Sequence, residues 1–253
     1  MSGAFIVTGA AGAMGSECVT ALVRRGANVV AVDIDGPGLD RLQASLGGDA
    51  SRLHTVVADV GDEMAMTGAV ADGEAAFGGL AGLFNIAGTE GTLAWLHEME
   101  AEEFDHTLRV NTDSVFITVS LVLPRLVARG GGRIVNTGSY VAVRATRGTS
   151  AYGTAKHAVV GLTRSVALEY ARQGIQANVV CPGAMNTPMV RSMFKRLAPE
   201  APARGEKIIR DLTPTGALVE PRELADTGSW LLLDAPDQIT GQVFMVDGGR
   251  TAG

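Results

Sequence analysis

The chain of 253 residues lacks any unbroken apolar run approaching the eighteen or more residues of a membrane span, which excludes a membrane helix as an expectation. No basic region stands ahead of an apolar stretch at the N-terminus, where AFIVTG reads at once as a strand. No secretory signal is visible, and the expected location is the cytoplasm. Cysteine is scarce. Cys18 falls in a helical pattern and Cys181 follows a strand, so both read as buried thiols rather than a disulfide pair. Four histidines, at 54, 97, 106 and 157, show no ligand spacing, and neither cysteine has metal-ligand company, so no metal site is expected. Basic residues are in deficit: 21 Lys and Arg against 27 Asp and Glu leave a net charge of −6, which argues against nucleic-acid binding. Internal repeats, low-complexity tracts and linkers rich enough to divide the chain are missing too.

What is present suits a buried core: 46% hydrophobic and 19% charged residues, in a length that fits one large domain, 1–253. Nearly all-apolar strands are read at 5–7, 27–35, 53–58, 80–84, 133–139, 175–180 and 243–246. Between them lie helical patterns at 16–25, 38–46, 62–77, 102–127, 152 onward and 222–233, with Asp62 a plausible N-cap. Strands alternating with helices predict an α/β fold, a single doubly wound Rossmann-type domain with about seven parallel strands and helices on both faces. Residues 188–213 are irregular and rich in Met, Pro and Arg, and read as a mobile substrate lid.

Three features carry chemistry. The first is TGAAGAMG, Thr8 to Gly15, placed between a strand and a helix. Small residues there let the backbone approach a pyrophosphate, and the helix N-terminus supplies N–H donors. The second is Asp33, eighteen residues past Gly15 at a strand end, where a carboxylate meets ribose hydroxyls and repels a 2′-phosphate. Neither Ile34 nor any residue from Ala10 to Met14 is basic, so the cofactor expected is NAD rather than NADP. The third is Tyr152 with Lys156, four residues apart on a helical pattern with Ala155, Val159, Leu162 and Val166. Residues at i and i+4 share a face, so an ammonium sits close to a phenol and favours its ionised form. A tyrosine of that kind exchanges a proton near neutral pH. Ser139, thirteen residues upstream at a strand end, could hold a substrate oxygen against it.

Taken with Asn111, Asn85-Ile86-Ala87-Gly88, Pro182-Gly183 and Thr187, these motifs resemble the short-chain dehydrogenase/reductase family from Ala4 to Gly249. The resemblance implies hydride transfer between NAD(H) and a secondary alcohol or ketone, without a metal. It implies that Ser139, Tyr152, Lys156 and Asn111 are catalytic, with Asn111 bending its helix and completing a proton relay. It implies cofactor contacts from Gly9, Gly12, Met14, Gly15, Asp33, Asp59, Val60, Asn85, Ala87, Gly88, Tyr152, Lys156, Pro182, Gly183, Met185 and Thr187. A homotetramer formed through the helices before and after the catalytic strand is implied as well. Two departures stand out: Ala13 where the family has glycine, with Gly12 instead giving TGxxGxxG, and Ile86 where a second asparagine is usual.

For the substrate, Trp95, Val141, Val143, Met185, Met189, Met193 and Phe194 suggest a mid-sized apolar or cyclic molecule. Glu90 is a further candidate contact, while Arg144 and Arg147 read either as solvated loop residues or as partners of an anionic group. The competing readings are an NADPH-linked 3-oxoacyl-thioester reductase and a non-catalytic dinucleotide sensor.

Overall fold

In a computed structural model, residues 3–253 are described, apart from the side chains at 189, 193 and 195–197. Seven parallel strands form one sheet: β1 (Ala4–Thr8), β2 (Asn28–Asp33), β3 (Leu53–Val57), β4 (Leu80–Asn85), β5 (Gly132–Thr137), β6 (Ile175–Pro182) and β7 (Val243–Val246). Their spatial order is β3-β2-β1-β4-β5-β6-β7, so chain direction across the sheet reverses between β1 and β4. The helices are α1 (Ala13–Arg24), α2 (Gly36–Ser45), α3 (Glu63–Phe77), α4 (Ala101–Leu108), α5 (Ser114–Arg129), α6 (Ser150–Tyr170), α7 (Pro188–Leu197), α8 (Pro202–Asp211) and α9 (Pro221–Leu233).

Strand periodicity builds two cores from one sheet. Phe5 and Val7 of β1 join Cys18 and Leu22 of α1, Leu39 of α2 and Leu224 and Leu231 of α9 on one face. Ile6 joins Met66 of α3, Val115, Val119 and Val122 of α5 and Val159 and Val166 of α6 on the other. Both faces are covered, which is why the strands are mostly apolar. Loops at the carboxyl ends of β1 and β4 diverge at the reversal, leaving a crevice there.

The predicted fold is present, with local corrections. α1 starts at Ala13 rather than Ser16. α2 starts at Gly36, because the Asp35 side chain caps it by accepting from the Gly38 amide at 3.0 Å. The stretch 188–213, read as irregular, holds α7 and α8 packed together, each with proline in its first turn. Around Asn111 the helix loosens to a π-turn, Arg109–Asp113, between α4 and α5. The combined stretch Ala101–Arg129 is long and apolar enough to cross a membrane by length and composition, although the sequence suggested no such run. Its apolar stripe instead packs in the core against β4 and α3.

Candidate active site

A cavity of about 550 Å³ opens at the reversal point. Gly9, Gly12, Met14, Gly15, Asp33, Asp59, Val60, Ala87, Gly88, Asn111, Tyr152, Lys156, Pro182, Met185 and Thr187 all line it. Residues distant in sequence are thus brought together as the spacing predicted. Ile34, Ile86 and Ala13 lie in the same wall.

The floor at one end is the glycine turn. Gly9 has φ +65°, and a Cβ there would sit 2.8 Å from the Ala87 backbone. A Cβ on Gly15 would fall 2.0 Å from the Gly9 carbonyl oxygen, so the first turn of α1 lies directly on the loop. Gly12 caps α1 with no side-chain bond, leaving the first-turn amides for an outside acceptor. Ala13 is the first residue of α1, so its methyl belongs to helix rather than to the tight turn. Asp33 fixes this loop as well as facing the cavity: Oδ2 accepts from the Ala11 amide at 2.9 Å and Oδ1 from the Asp35 amide at 3.0 Å. Among the described residues the lining contains no arginine. Arg41 occupies a neighbouring shallow recess with Ala11 and Ser16 and reaches Asp35 at 3.3 Å.

At the other end stand Ser139, Tyr152 and Lys156. Ser139 ends the segment after β5 in extended conformation, and its Oγ accepts from the Val141 amide at 3.4 Å. Tyr152 sits in the first turn of α6 and hydrogen-bonds Ser139. Lys156, only 3% exposed, donates from Nζ to the Thr137 carbonyl at 3.0 Å and lies 5.6 Å from the Tyr152 ring centroid. In the protein by itself, burial dominates both groups. Desolvation pushes Tyr152 up to about 12, with the Ser139 bond pulling down and the charges of Glu90, Tyr140 and Cys181 adding to the rise. Desolvation draws Lys156 down to about 8. The phenolate near neutral pH expected from an adjacent ammonium is therefore not met here, because both partners lose more solvation than their proximity returns.

Asn111 is fully buried. Its Nδ2 donates to the carbonyls of Thr89 and Thr107, both at 2.9 Å, and its Oδ1 accepts from the Thr89 amide at 3.2 Å. It clamps the loop after Gly88 onto the π-turn. Three predicted residues lie outside the cavity wall. Ser139 stands behind Tyr152 rather than in the wall. Asn85 turns its side chain inward, where Nδ2 donates to Asn136 at 2.9 Å and Oδ1 accepts from Thr118 at 2.8 Å, which leaves its backbone for the cofactor contact expected of it. The Gly183 amide donates to the Val246 carbonyl and a Cβ would meet the Asp247 Cα at 2.9 Å, which makes this position a close crossing with β7.

The proposed substrate wall is also revised. Met185 lines the cavity, Val141 is buried, and Trp95 and Val143 are exposed. Phe194 packs on Ile209 and Leu218 and does not line the cavity. Met189 and Met193 lie outside the described side chains. Arg144 donates to the Arg250 carbonyl at 3.0 Å, and Arg147 is exposed. Sequence reasoning missed His106, Val110 and Thr137 in the wall. Their signal was position alone, since Val110 precedes Asn111, His106 lies one turn earlier, and Thr137 stands two before Ser139.

Fold and site together define an oxidoreductase of the type that binds a nicotinamide dinucleotide at the carboxyl edge of a parallel sheet. The family model described as enoyl-(acyl carrier protein) reductase matches residues 9–251. Levodione reductase of Leifsonia aquatica is 36% identical over 249 residues, covering 98% of this chain and 93% of that protein. The crystal structure of levodione reductase superposes with a TM-score of 0.95 at 34% identity, covering 99% of this chain and 98% of the other. The 2,5-dichloro-2,5-cyclohexadiene-1,4-diol dehydrogenase of Sphingobium indicum is 37% identical over 248 residues, covering 98% and 96%. NAD⁺-bound xylitol dehydrogenase matches at 27% identity with a TM-score of 0.92, covering 98% of each chain. The chain belongs to the short-chain dehydrogenase/reductase family. It is an oxidoreductase acting between alcohol and ketone.

Proposed function

We propose that the protein moves a hydride between NAD(H) and a secondary alcohol or ketone on a mid-sized ring. The observation that carries the cofactor choice is the Asp33 carboxylate, held by two amides in a wall that among the described residues contains no arginine. The glycine turn fits a dinucleotide, since Gly9 and Gly15 admit no side chain and the first-turn amides of α1 remain for a pyrophosphate. Gly9, Gly12, Met14 and Gly15 would hold the pyrophosphate, Asp33 the ribose, Asp59 and Val60 the adenine, and Pro182, Met185 and Thr187 the nicotinamide. The cofactor, when bound, supplies the hydride acceptor or donor. Ring substrates are supported by the two relatives whose names specify a dione and a cyclohexadiene diol.

The chain's own residues handle the proton. In reduction, Tyr152, protonated at neutral pH with a pKa pushed to about 12, gives its hydroxyl proton to the ketone oxygen. In oxidation it takes that proton back, while Ser139 donates a hydrogen bond that holds the oxygen. Lys156 orients the nicotinamide ribose, and Asn111 positions the loop after Gly88 and relays protons to solvent. The stretch 188–213 serves as the lid over the substrate.

In this reading the chain is one domain and works in the cytoplasm as a homotetramer. Supporting the tetramer, α5 exposes Phe116 (58%) and Val127 (40%) at an apolar recess that Leu123 and, from α6, Leu162 also line. Initial rates with NAD⁺ and NADP⁺ over a panel of cyclic alcohols, hydroxysteroids, diols and hydroxyacyl thioesters test the proposal. Preference for NADPH and thioesters would replace it with the acyl-reductase reading.

A further inference from the structure

His106 borders the cavity, and no step above uses it. It stands in the last turn of α4, it is exposed, and its imidazole makes no hydrogen bond or ion pair among the described residues. A histidine that lines the cavity and has no partner within the chain is available to a ligand there.

The helix fixes which end of the cavity His106 faces. One side of α4 and the π-turn, carrying Thr107 and Asn111, is buried against the loop after Gly88. Asn111 bonds both the amide and the carbonyl of Thr89, and a Cβ on Gly91 would run into the Thr107 side chain. The adjoining side is turned to the loop after β3, where a Cβ on Gly61 would lie 4.0 Å from the Arg109 Cγ. His106 precedes Arg109 by three residues and Val110 by four, so it shares that side. It therefore closes the cavity beside Ala58, Asp59 and Val60, the end given above to the adenine.

Ala58, Val60 and Val110 present apolar surface at this end. An imidazole at the rim gains little from a hydrogen bond that water also offers, whereas its face takes the face of a flat base out of water. We propose that His106 is a further cofactor-binding residue, whose imidazole stacks on the adenine of the dinucleotide and closes that end of the cavity. This rests on the dinucleotide reading above.

The test is a fluorescence titration with NADH, followed by competition with ADP-ribose, which keeps the adenosine half and lacks the nicotinamide. His106→Ala raises both dissociation constants about tenfold, the lower range for loss of one base stacked on an aromatic side chain. His106→Phe keeps a ring face without a hydrogen-bonding nitrogen, and holds both constants within about threefold of wild type. Unchanged binding by His106→Ala overturns the inference, and so does an equal loss in His106→Phe, which would make the contact a hydrogen bond. A loss for NADH without one for ADP-ribose places His106 at the nicotinamide and overturns it too. Each of these results leaves the dinucleotide reading standing. A wild-type protein that binds neither NADH nor ADP-ribose overturns that reading and the inference with it.

Discussion

Replacing Asp33 probes cofactor choice through charge. A 2′-phosphate bound at the same ribose would bring a second negative group within a few ångströms of the carboxylate. Two unit charges about 4 Å apart repel by roughly 1 kcal/mol in water and about 4 at a protein surface. The site is half-buried and its lining has no arginine among the described residues, so a value between these limits applies. We expect NAD(H) to exceed NADP(H) at least about a hundredfold in kcat/KM, or roughly 2.7 kcal/mol. The structure also refines the choice of variant. Asp33→Ala would free the Ala11 and Asp35 amides as well as remove the charge, and so weaken both cofactors. Asp33→Asn keeps one oxygen acceptor, and paired with Ile34→Arg it should narrow or reverse the ratio, raising KM for NAD⁺ and lowering it for NADP⁺. Steady-state kinetics on wild type and double variant measure this. Equal use of both cofactors by the wild type would refute the electrostatic reasoning outright.

Tyr152→Phe should abolish turnover while NADH still binds, as followed by nucleotide fluorescence; retention of more than a few per cent of kcat would move the proton-transfer role elsewhere. Ser139→Ala should cost roughly 2–4 kcal/mol of transition-state stabilisation, and a loss below about tenfold in kcat/KM would leave the serine a packing role. Lys156 has an opposite effect on stability and on binding. Burial lowers it from 10.5 to about 8, so between those values the unfolded chain holds a proton that the native protein has released, and stability rises with pH across that window. Below about pH 8 the native protein bears roughly 2–3 kcal/mol for its buried ammonium, partly offset by about 1 kcal/mol from the bond to Thr137. Lys156→Met, freed of nucleotide, should thus be about 1–2 kcal/mol more stable to urea at pH 7, lose that advantage near pH 10.5, and bind NADH more weakly. A variant less stable at pH 7 would show that the burial cost is absent.

The sheet was legible because nearly all-apolar strands separated by helical patterns leave few alternatives, and the crevice followed from the position of the glycine turn. Much of the cavity wall was legible because most of its residues follow a strand's carboxyl end, a place that sequence spacing locates. Spacing does not reveal direction: near the ends of β4 and β6 the Asn85 side chain points back into the sheet and Gly183 is a close backbone crossing with β7. The lid helices were hidden by their prolines, which read as breaks yet stand at helix starts. The ionisation of Tyr152 was misjudged because the distance to Lys156 is written in the sequence and the depth of burial is not.

The inward turn of Asn85 has a consequence for how the molecule tolerates change. Its amide continues a relay of buried side chains: Thr8 and Thr118 donate to Asn85, Asn85 to Asn136, and Asn136 to Thr163 on α6. The same Thr8 hydroxyl accepts from the amides of Ile86 and Ala87 beside the glycine turn. Each donor in this row orients the next, so the amide of Asn136 can face only one way while its neighbours stay as they are. Exchanging any one member for an isosteric apolar residue strands its neighbours, and even a triple exchange of Asn85, Asn136 and Thr163 leaves the Thr8 hydroxyl without the acceptor it uses here. These positions therefore vary as a group, with pairwise losses that fail to add, and the row sets the phase between the nucleotide end of the sheet and the helix that carries Tyr152.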